Sequence, residues 1–351
     1  MAVTPGLTGI TASPFVASTL TSLDIAVHSN EIYADALPIL RLFPFSVIKT
    51  ELNKQPGSKI VMQRFAPLGR GKKLVEGDPI VPTALTSTTQ EITIDEYAKA
   101  TKESELLIRT QPFDTMQIAS DKLGESYALT LDLQLELCVF TTPNSTFANR
   151  RASRAALVAG DIMTAKDVRD LALKAKLLKI PKMRQAINGG GVDEFYVMFA
   201  HSNVLRQLRD DTQWRDADNY SGVVQQFLGE VGKLEGIRFI DTTVMPQVLS
   251  DVNTTAMGIP ADTVLIDNED LGAVDPTERL IDATAAHPTL DVYKSIMFGS
   301  RYFGYAEGLP VELRDGGVID FGREHALAWY SIYGCGLLNP NRGIIYESVI
   351  E

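Results

Sequence analysis

The sequence has little cysteine, no long hydrophobic run and no secretory-signal pattern in its first residues, and each of these shortages argues against a class of protein. The two cysteines, Cys138 and Cys335, each stand alone in an apolar context. We therefore predict buried thiols, with no disulfide, no metal pair and no redox role. No apolar run approaches the roughly 18 residues of a membrane-spanning helix. The N-terminus lacks a basic region followed by an apolar one, so we expect a cytosol-like compartment and no membrane partner.

The motifs of catalysis and cofactor binding are missing as well. Neither residues 69–71 nor residues 189–191 continue into the Gly-Lys-Ser/Thr of a phosphate-binding loop. Residues 210–211 and 268–270 are short acidic groups that could hold a divalent cation, but we interpret them as solvated helix ends and turns. We predict no catalytic residue, no metal site and no cofactor. Histidines are few and widely spaced, and none belongs to a His-Glu-x-x-His pattern: His28, His201, His287 and His325.

The charge is acidic overall, with a formal net charge of −11 over 351 residues. This balance argues against a general nucleic-acid binder, because affinity for phosphate comes from clustered lysine and arginine. Basic residues do cluster locally at 150–154 and 174–184. We interpret the first cluster as a solvated loop and the second as the polar face of a helix. Apolar content of 45% and charged content of 22% are ordinary for a globular protein.

Residues 57–111 predict a long two-stranded arm with a glycine-rich basic tip. Residues 59–65 are rich in β-branched and apolar side chains, and residues 90–97 alternate with period two, so both indicate strands. An isolated two-stranded ribbon is marginal in water, so the arm needs another surface, which another copy of the chain could supply. The tip carries the residues that we predict to contact a neighbouring subunit: Gly69, Arg70, Gly71, Lys72, Lys73, Glu76 and Asp78.

The rest of the chain mixes helices and strands. Residues 113–140 predict a long helix, although residues 129–139 also alternate with period two as a strand would. A capping box at Thr164 predicts a second helix to about residue 179. Strands are predicted at 194–200, 237–240, 263–266 and 292–298, and a turn at 315–317 precedes two apolar runs, 326–338 and 343–350. Residues 1–48 show no sustained period and predict an extended arm, with a possible short helix within 24–40. We predict the α+β class.

This order of parts, an N-terminal arm, an extended loop, a spine helix, a central domain and a returning strand pair, resembles the major capsid protein of tailed bacteriophages, which has the HK97-like fold. Local strings are similar to coat proteins of the N4-like phage group. These strings lie at residues 194–201, 208–211 with Trp214, 229–232, 236–242, 293–299 and 326–330.

The resemblance implies a division of the chain into domains. Residues 1–48 would form the N-terminal arm and 49–111 the extended loop. Residues 112–190 and 319–351 would form the peripheral domain, with the spine helix at 113–140. Residues 191–318 would form the axial domain. Some relatives carry a long charged N-terminal scaffolding segment that this chain lacks, which implies a separate scaffolding protein.

The resemblance also implies function and partners. The chain would self-assemble into pentamers and hexamers of an icosahedral head that encloses double-stranded DNA, contacted non-specifically. Portal, scaffolding and decoration proteins would be its other partners, and the virion, assembled in the host cytoplasm, its location. Two alternatives remain open at this point, an encapsulin-type shell that encloses enzymes and an enzyme of unknown class.

Overall fold

The structure is a computed structural model, and it describes most of the chain from residue 41 onward. The predicted N-terminal arm up to residue 40, with its possible short helix, and the predicted strand at 263–266 lie outside the described residues. The described residues are 41–53, 57–65, 68–71, 73, 80, 82–113, 115–186, 192–214, 230–242, 245–248, 250 and 287–350.

The described part of the chain includes four α-helices whose bounds are complete, fourteen strands, short 3-10 turns and a helical stretch at 212–214. The helices are α1 (Glu105–Thr110), α2 (Thr115–Val139), α3 (Ala165–Leu177) and α4 (Ser202–Asp210). The strands are β1 (Val47–Lys49), β2 (Lys59–Phe65), β3 (Ser87–Thr93), β4 (Asp95–Ser104), β5 (Ser145–Phe147), β6 (Met183–Ala186), β7 (Val192–His201), β8 (Glu230–Leu234), β9 (Ile237–Thr242), β10 (Gln247–Val248), β11 (Val292–Phe298), β12 (Phe303–Ile319), β13 (Glu324–Leu337) and β14 (Gly343–Val349). The predicted α+β class is confirmed.

The larger sheet forms the centre of the molecule. Its strands follow the order β5-β14-β11-β7-β9-β8, with β10 beside β11 and β6 beside β7. Strand β7 is a compact apolar run, and its residues Val197, Met198 and Phe199 are completely buried. Successive side chains of a strand point to opposite faces, so a strand that is buried throughout must be covered on both sides. Helices α3 and α4 supply part of the core on one of these faces.

The second sheet has four strands in the order β1-β12-β13-β4. The long hairpin β12–β13 is antiparallel, and β4 pairs antiparallel with β13 from Asp95 opposite Tyr333 to Ser104 opposite Glu324. Strand β1 adds a short parallel pair to β12. Just before β1, Leu42 is buried in the core, so this end of the predicted N-terminal arm is anchored on its own subunit.

Helix α2, close to the predicted bounds of 113–140, packs against both sheets. Its first half packs on β13, where Ala119 and Leu123 contact Leu327 and Trp329. Its second half belongs to a core that includes residues of both sheets, and here Leu131 and Leu135 are buried. The choice of helix over strand for residues 129–139 is therefore confirmed. Leucine, glutamate and glutamine favour the helix, and the capping and turn signals that would break it are missing within this stretch.

The helix also buries a carboxylate, which predicts a pH dependence of stability. Desolvation, followed by the like charge of Asp132 one turn earlier, raises the pKa of Glu136 well above its ordinary value. A raised pKa in the folded state gives stability that is present at low pH and is lost as pH rises through that pKa. We expect Glu136→Gln to stabilise the chain by ~1–3 kcal/mol at pH 8 relative to pH 5.

Chemical denaturation at a series of pH values measures this effect. The exposed Glu105, changed to Gln, is the matched control and should leave the pH profile unchanged. A wild-type profile that does not decline above pH 5 would contradict the assignment of an ionisation cost to Glu136.

The predicted turn at 315–317 is wrong, because β12 continues through it with a bulge between Asp315 and Gly317, and the hairpin turns instead at Asp320–Gly322. Gly317 takes a φ of 72°, so the glycine that suggested a turn serves the bulge.

Both cysteines are free and partly buried, as predicted for thiols without a disulfide. Burial raises the pKa of Cys138 to about 12 and raises that of Cys335 as well.

Candidate assembly surfaces

The ribbon of β2 and β3 carries the first candidate surface. These strands pair antiparallel over their whole length, from Lys59 opposite Thr93 to Phe65 opposite Ser87. The predicted first strand, residues 59–65, is confirmed. The predicted second strand, residues 90–97, spans two strands, because the chain leaves the β3 pairing at Ile94 and joins β13 as β4.

The root of the ribbon packs on its own subunit. Ile60 and Ile92 are buried against Ala306 of β12. At Ile94 the backbone crosses over β13 so closely that a Cβ added at Gly334 would lie 1.9 Å from the Thr93 carbonyl oxygen. Arg64 donates a hydrogen bond of 2.7 Å to the side chain of Asn339. The surface that the ribbon is predicted to need is therefore supplied, at its root, by its own subunit, where the glycines of β13 accommodate it.

The ribbon has an outward-pointing face, which together with the tip we call its outer half, and it presents apolar and, at the tip, basic side chains to solvent. Along β2, alternate residues point away from the body, and Val61 and Phe65 are about half exposed, at 48% and 57%. Beyond the strands, Leu68 and Ile80 are 63% and 75% exposed. An exposed series of large apolar side chains is typical of a surface that another molecule covers.

The predicted tip residues lie at the end of this series. Gly69, Arg70, Gly71 and Lys73 are exposed. Cβ atoms added at Gly69 and Gly71 would meet nothing within 4 Å among the described residues, so there is open space beside both glycines. The remaining predicted contact residues, Lys72, Glu76 and Asp78, lie outside the described residues.

A second candidate surface, which we call the hairpin end, was missed by the sequence analysis. The turn between β12 and β13 places Phe321 fully exposed with a φ of 54°, in the left-handed region that a bulky residue seldom adopts. Leu313 and Val318 on β12 are 53% and 63% exposed. Helix α1 begins beside this turn, where the Glu105 amide donates to the Arg323 carbonyl, and it exposes Leu106. The sequence signal that could have located this turn is Asp-Phe-Gly at residues 320–322.

The basic cluster at 150–154 is neutralised by folding. Arg150 makes two hydrogen bonds of 2.6 Å to Asp170, and Arg151 binds Asp161 at 2.7 Å. The guanidinium of Arg154 donates two hydrogen bonds, of 2.7 and 2.8 Å, to the carboxylate of Glu347. The interpretation of this segment as a solvated loop is incomplete, because each guanidinium is held by a carboxylate distant in sequence.

The described histidines are engaged in local structure. The Nδ1 atom of His287 accepts hydrogen bonds from the amides of Thr289 and Leu290, and its Nε2 atom lies 3.1 Å from the Leu157 carbonyl. Burial lowers the pKa of His201, whose Nδ1 atom accepts a hydrogen bond from the Asn203 amide.

Within the described ranges, no group of three or more His, Cys, Asp or Glu residues is placed to hold a metal ion. No described helix is long and apolar enough to cross a bilayer.

Comparisons with known proteins agree with this architecture. Residues 138–267 match a family described as phage capsid protein. A comparison with curated protein sequences finds no match.

Solved capsid structures match over nearly the whole chain. The capsid asymmetric unit of cyanophage Pam1 has a TM-score of 0.66 at 16% identity, covering 92% of this chain and 95% of the other. The capsid of Ralstonia phage GP4 has a TM-score of 0.65 at 14% identity, covering 100% and 99%. The acid-stable capsid of Helicobacter pylori bacteriophage KHP30 has a TM-score of 0.67 at 12% identity, covering 98% and 100%.

These matches are at 12–16% identity but cover more than nine tenths of each chain, so they show a shared fold. The chain has the HK97-like fold of tailed-bacteriophage capsid proteins.

Proposed function

We propose that the chain is the major capsid protein of a tailed bacteriophage, a structural subunit that assembles with copies of itself into a closed shell. The observation that carries this proposal is the full-length agreement with capsid subunits, ribbon and hairpin included. The match of residues 138–267 to a phage capsid family supports it independently of the fold. The role is structural and requires no catalytic group.

The exposed surfaces suit this role physically. A ribbon fixed at its root and apolar along its outer half projects one part of a subunit toward another, and such a contact is heterologous, so a ring of copies can close. Each contact can be weak. Linked contacts reinforce one another through high effective concentration, so a shell of many copies is far more stable than any one contact.

The finer assignments belong to this proposal. Pentamers and hexamers would form an icosahedral head around double-stranded DNA, and portal, scaffolding and decoration proteins would be partners. The relationship to the N4-like group, assembly in the host cytoplasm and the domain boundaries remain predictions. The pairing of β14 with β11 bears on those boundaries. It joins a strand from the predicted peripheral residues 319–351 to a sheet whose strands β7, β9 and β11 lie within the predicted axial residues 191–318.

The ribbon tip is expected to act in assembly and not in folding. Replacing Arg70, Lys72 and Lys73 together with Glu should leave a folded subunit that assembles poorly, because Arg70 and Lys73 are exposed and there is open space beside Gly69 and Gly71. One exposed ion pair contributes only about 0–1 kcal/mol, so the effect becomes visible through its repetition across the shell.

Thermal unfolding measures folding, and light scattering with electron microscopy measures assembly. The same three positions changed to Gln form a graded control, which should impair assembly less than the Glu substitutions. Normal shells from the Glu variant would refute an electrostatic role for the tip. The contents of wild-type particles separate a phage head from an encapsulin, since packaged DNA supports the former and enclosed enzyme the latter.

A further inference from the structure

The segment of helix α3, which overlaps the second basic cluster at 174–184, behaves differently from the cluster at 150–154. Between residues 165 and 182 there are six basic and two acidic side chains, in a chain whose net charge is −11. Both acidic side chains are occupied: Asp167 closes the capping box with Thr164, and Asp170 is held by Arg150. The positive charge of this segment is therefore not cancelled from within.

Helix α3 gathers these cations on its exposed face. Lys166, Arg169, Leu173, Lys176 and Leu177 are all exposed. At about 100° per residue, they fall on one stripe of the helix roughly 100° wide. Within the described part of the chain, Lys166 and Lys176 form no ion pair. Arg169 donates a hydrogen bond to the neutral side chain of Gln213, and no ion pair of Arg169 is found among the described residues.

The leucines of this stripe are not needed for the core of the subunit. The opposite face of α3 already fills that core with Val168, Leu171 and Ala175, which are completely buried. Leu173 and Leu177 remain 54% and 73% exposed. Single exposed leucines are ordinary, but here two stand between cations on one helical stripe, and Leu178 follows directly with 41% exposure.

We propose that this stripe, which we call the α3 face, is a docking surface for an acidic amphipathic helix of a partner protein. Glutamate or aspartate side chains of the partner would pair with Lys166, Arg169 and Lys176. Its apolar stripe would cover Leu173 and Leu177. Recognition of an amphipathic helix by apolar anchors at helical spacing, with charges at the rim, is a common mode of protein association.

The leucines favour a polypeptide over nucleic acid. Phosphate binding depends on cations and gains little from exposed leucine. The affinity for nucleic acid would therefore depend on the cations and fall steeply as the salt concentration rises. A complementary protein helix uses both kinds of side chain, and burying the leucines would supply much of its affinity. This inference goes beyond the proposed capsid role and holds whether or not the chain forms a shell.

The test uses the full-length purified chain and three labelled probes, followed by fluorescence anisotropy. One probe is a synthetic helix of about 18 residues, with leucine on one stripe and glutamate beside it. The second is a peptide of the same composition in scrambled order, and the third is a short DNA duplex. We expect the amphipathic peptide to bind with a Kd of about 10–100 μM, and the scrambled peptide and the duplex to bind at least tenfold more weakly.

Two variants locate the binding. Leu173→Gln with Leu177→Gln should weaken peptide binding at least tenfold and leave circular dichroism and thermal unfolding unchanged, because both side chains are exposed. Leu106→Gln on α1, where leucine is 73% exposed, is the matched control and should leave binding unchanged.

Three results would overturn the proposal. The first is no difference between ordered and scrambled peptides. The second is a duplex that binds more tightly than the peptide and is insensitive to the leucine substitutions, which would make the α3 face a nucleic-acid surface. The third is a loss of self-association in the double leucine variant without a loss of peptide binding, which would make it a contact between copies.

Discussion

Leu131→Pro is expected to leave the chain insoluble. Proline in a helix interior removes a backbone donor and clashes with the preceding turn, at a cost of ~3 kcal/mol or more. Leu131 is only 2% exposed and sits where α2 packs on both sheets, so the loss of its side chain adds ~2–5 kcal/mol. Together these costs approach the ~5–15 kcal/mol that stabilises a typical domain. The soluble fraction after expression and far-ultraviolet circular dichroism measure the outcome.

Gly124→Ala, on the same helix, is the matched control. A Cβ added at Gly124 meets nothing within 4 Å, and alanine favours helix over glycine by ~0.5–1 kcal/mol. This variant should therefore be slightly more stable than the wild type. A soluble Leu131→Pro variant that still assembles would mean that α2 does not hold the two sheets together.

Gly334→Ala is expected to displace the ribbon and destabilise the subunit. The added methyl group would lie 1.9 Å from the Thr93 carbonyl oxygen and 2.8 Å from its carbonyl carbon, and these backbone atoms cannot yield as a flexible side chain can. Overpacking of this kind costs ~1–3 kcal/mol and occasionally more. Because the root sets the direction in which the ribbon projects, assembly should fail even where folding survives.

Chemical denaturation measures the loss of stability, and light scattering measures the failure of assembly. Gly69→Ala at the ribbon tip is the control. A Cβ there meets nothing within 4 Å, so stability should change little. Wild-type stability and normal shells from Gly334→Ala would show that the crossing of the ribbon over β13 is not tightly packed.

The elements that the sequence predicted well are those whose signals are local. Strands β2, β11 and β14 and helix α2 were found at or near their observed bounds, because each is a compact run or a sustained period between turn signals. The capping box at Thr164 placed the start of α3, since both of its hydrogen bonds join residues three apart.

The features that were missed depend on residues distant in sequence. Nothing local marks Gly334 as the place where Thr93 crosses, and nothing near Arg154 points to Glu347, which lies 193 positions away. The turn was placed at Gly316 and Gly317 because glycine usually signals a turn. A long twisted hairpin also uses glycine in a bulge, and only the pairing of β12 with β13 distinguishes the two.

The central claim is that this chain builds a shell from copies of itself, with the ribbon of one copy lying on the next. Electron microscopy of the purified full-length chain, from negative stain to a reconstruction that resolves subunits, tests it most directly. The account predicts closed particles in which Phe65 and Leu68 are covered by a neighbouring subunit. A chain that remains monomeric at high concentration, or a particle in which the outer half of each ribbon touches no neighbour, would contradict it.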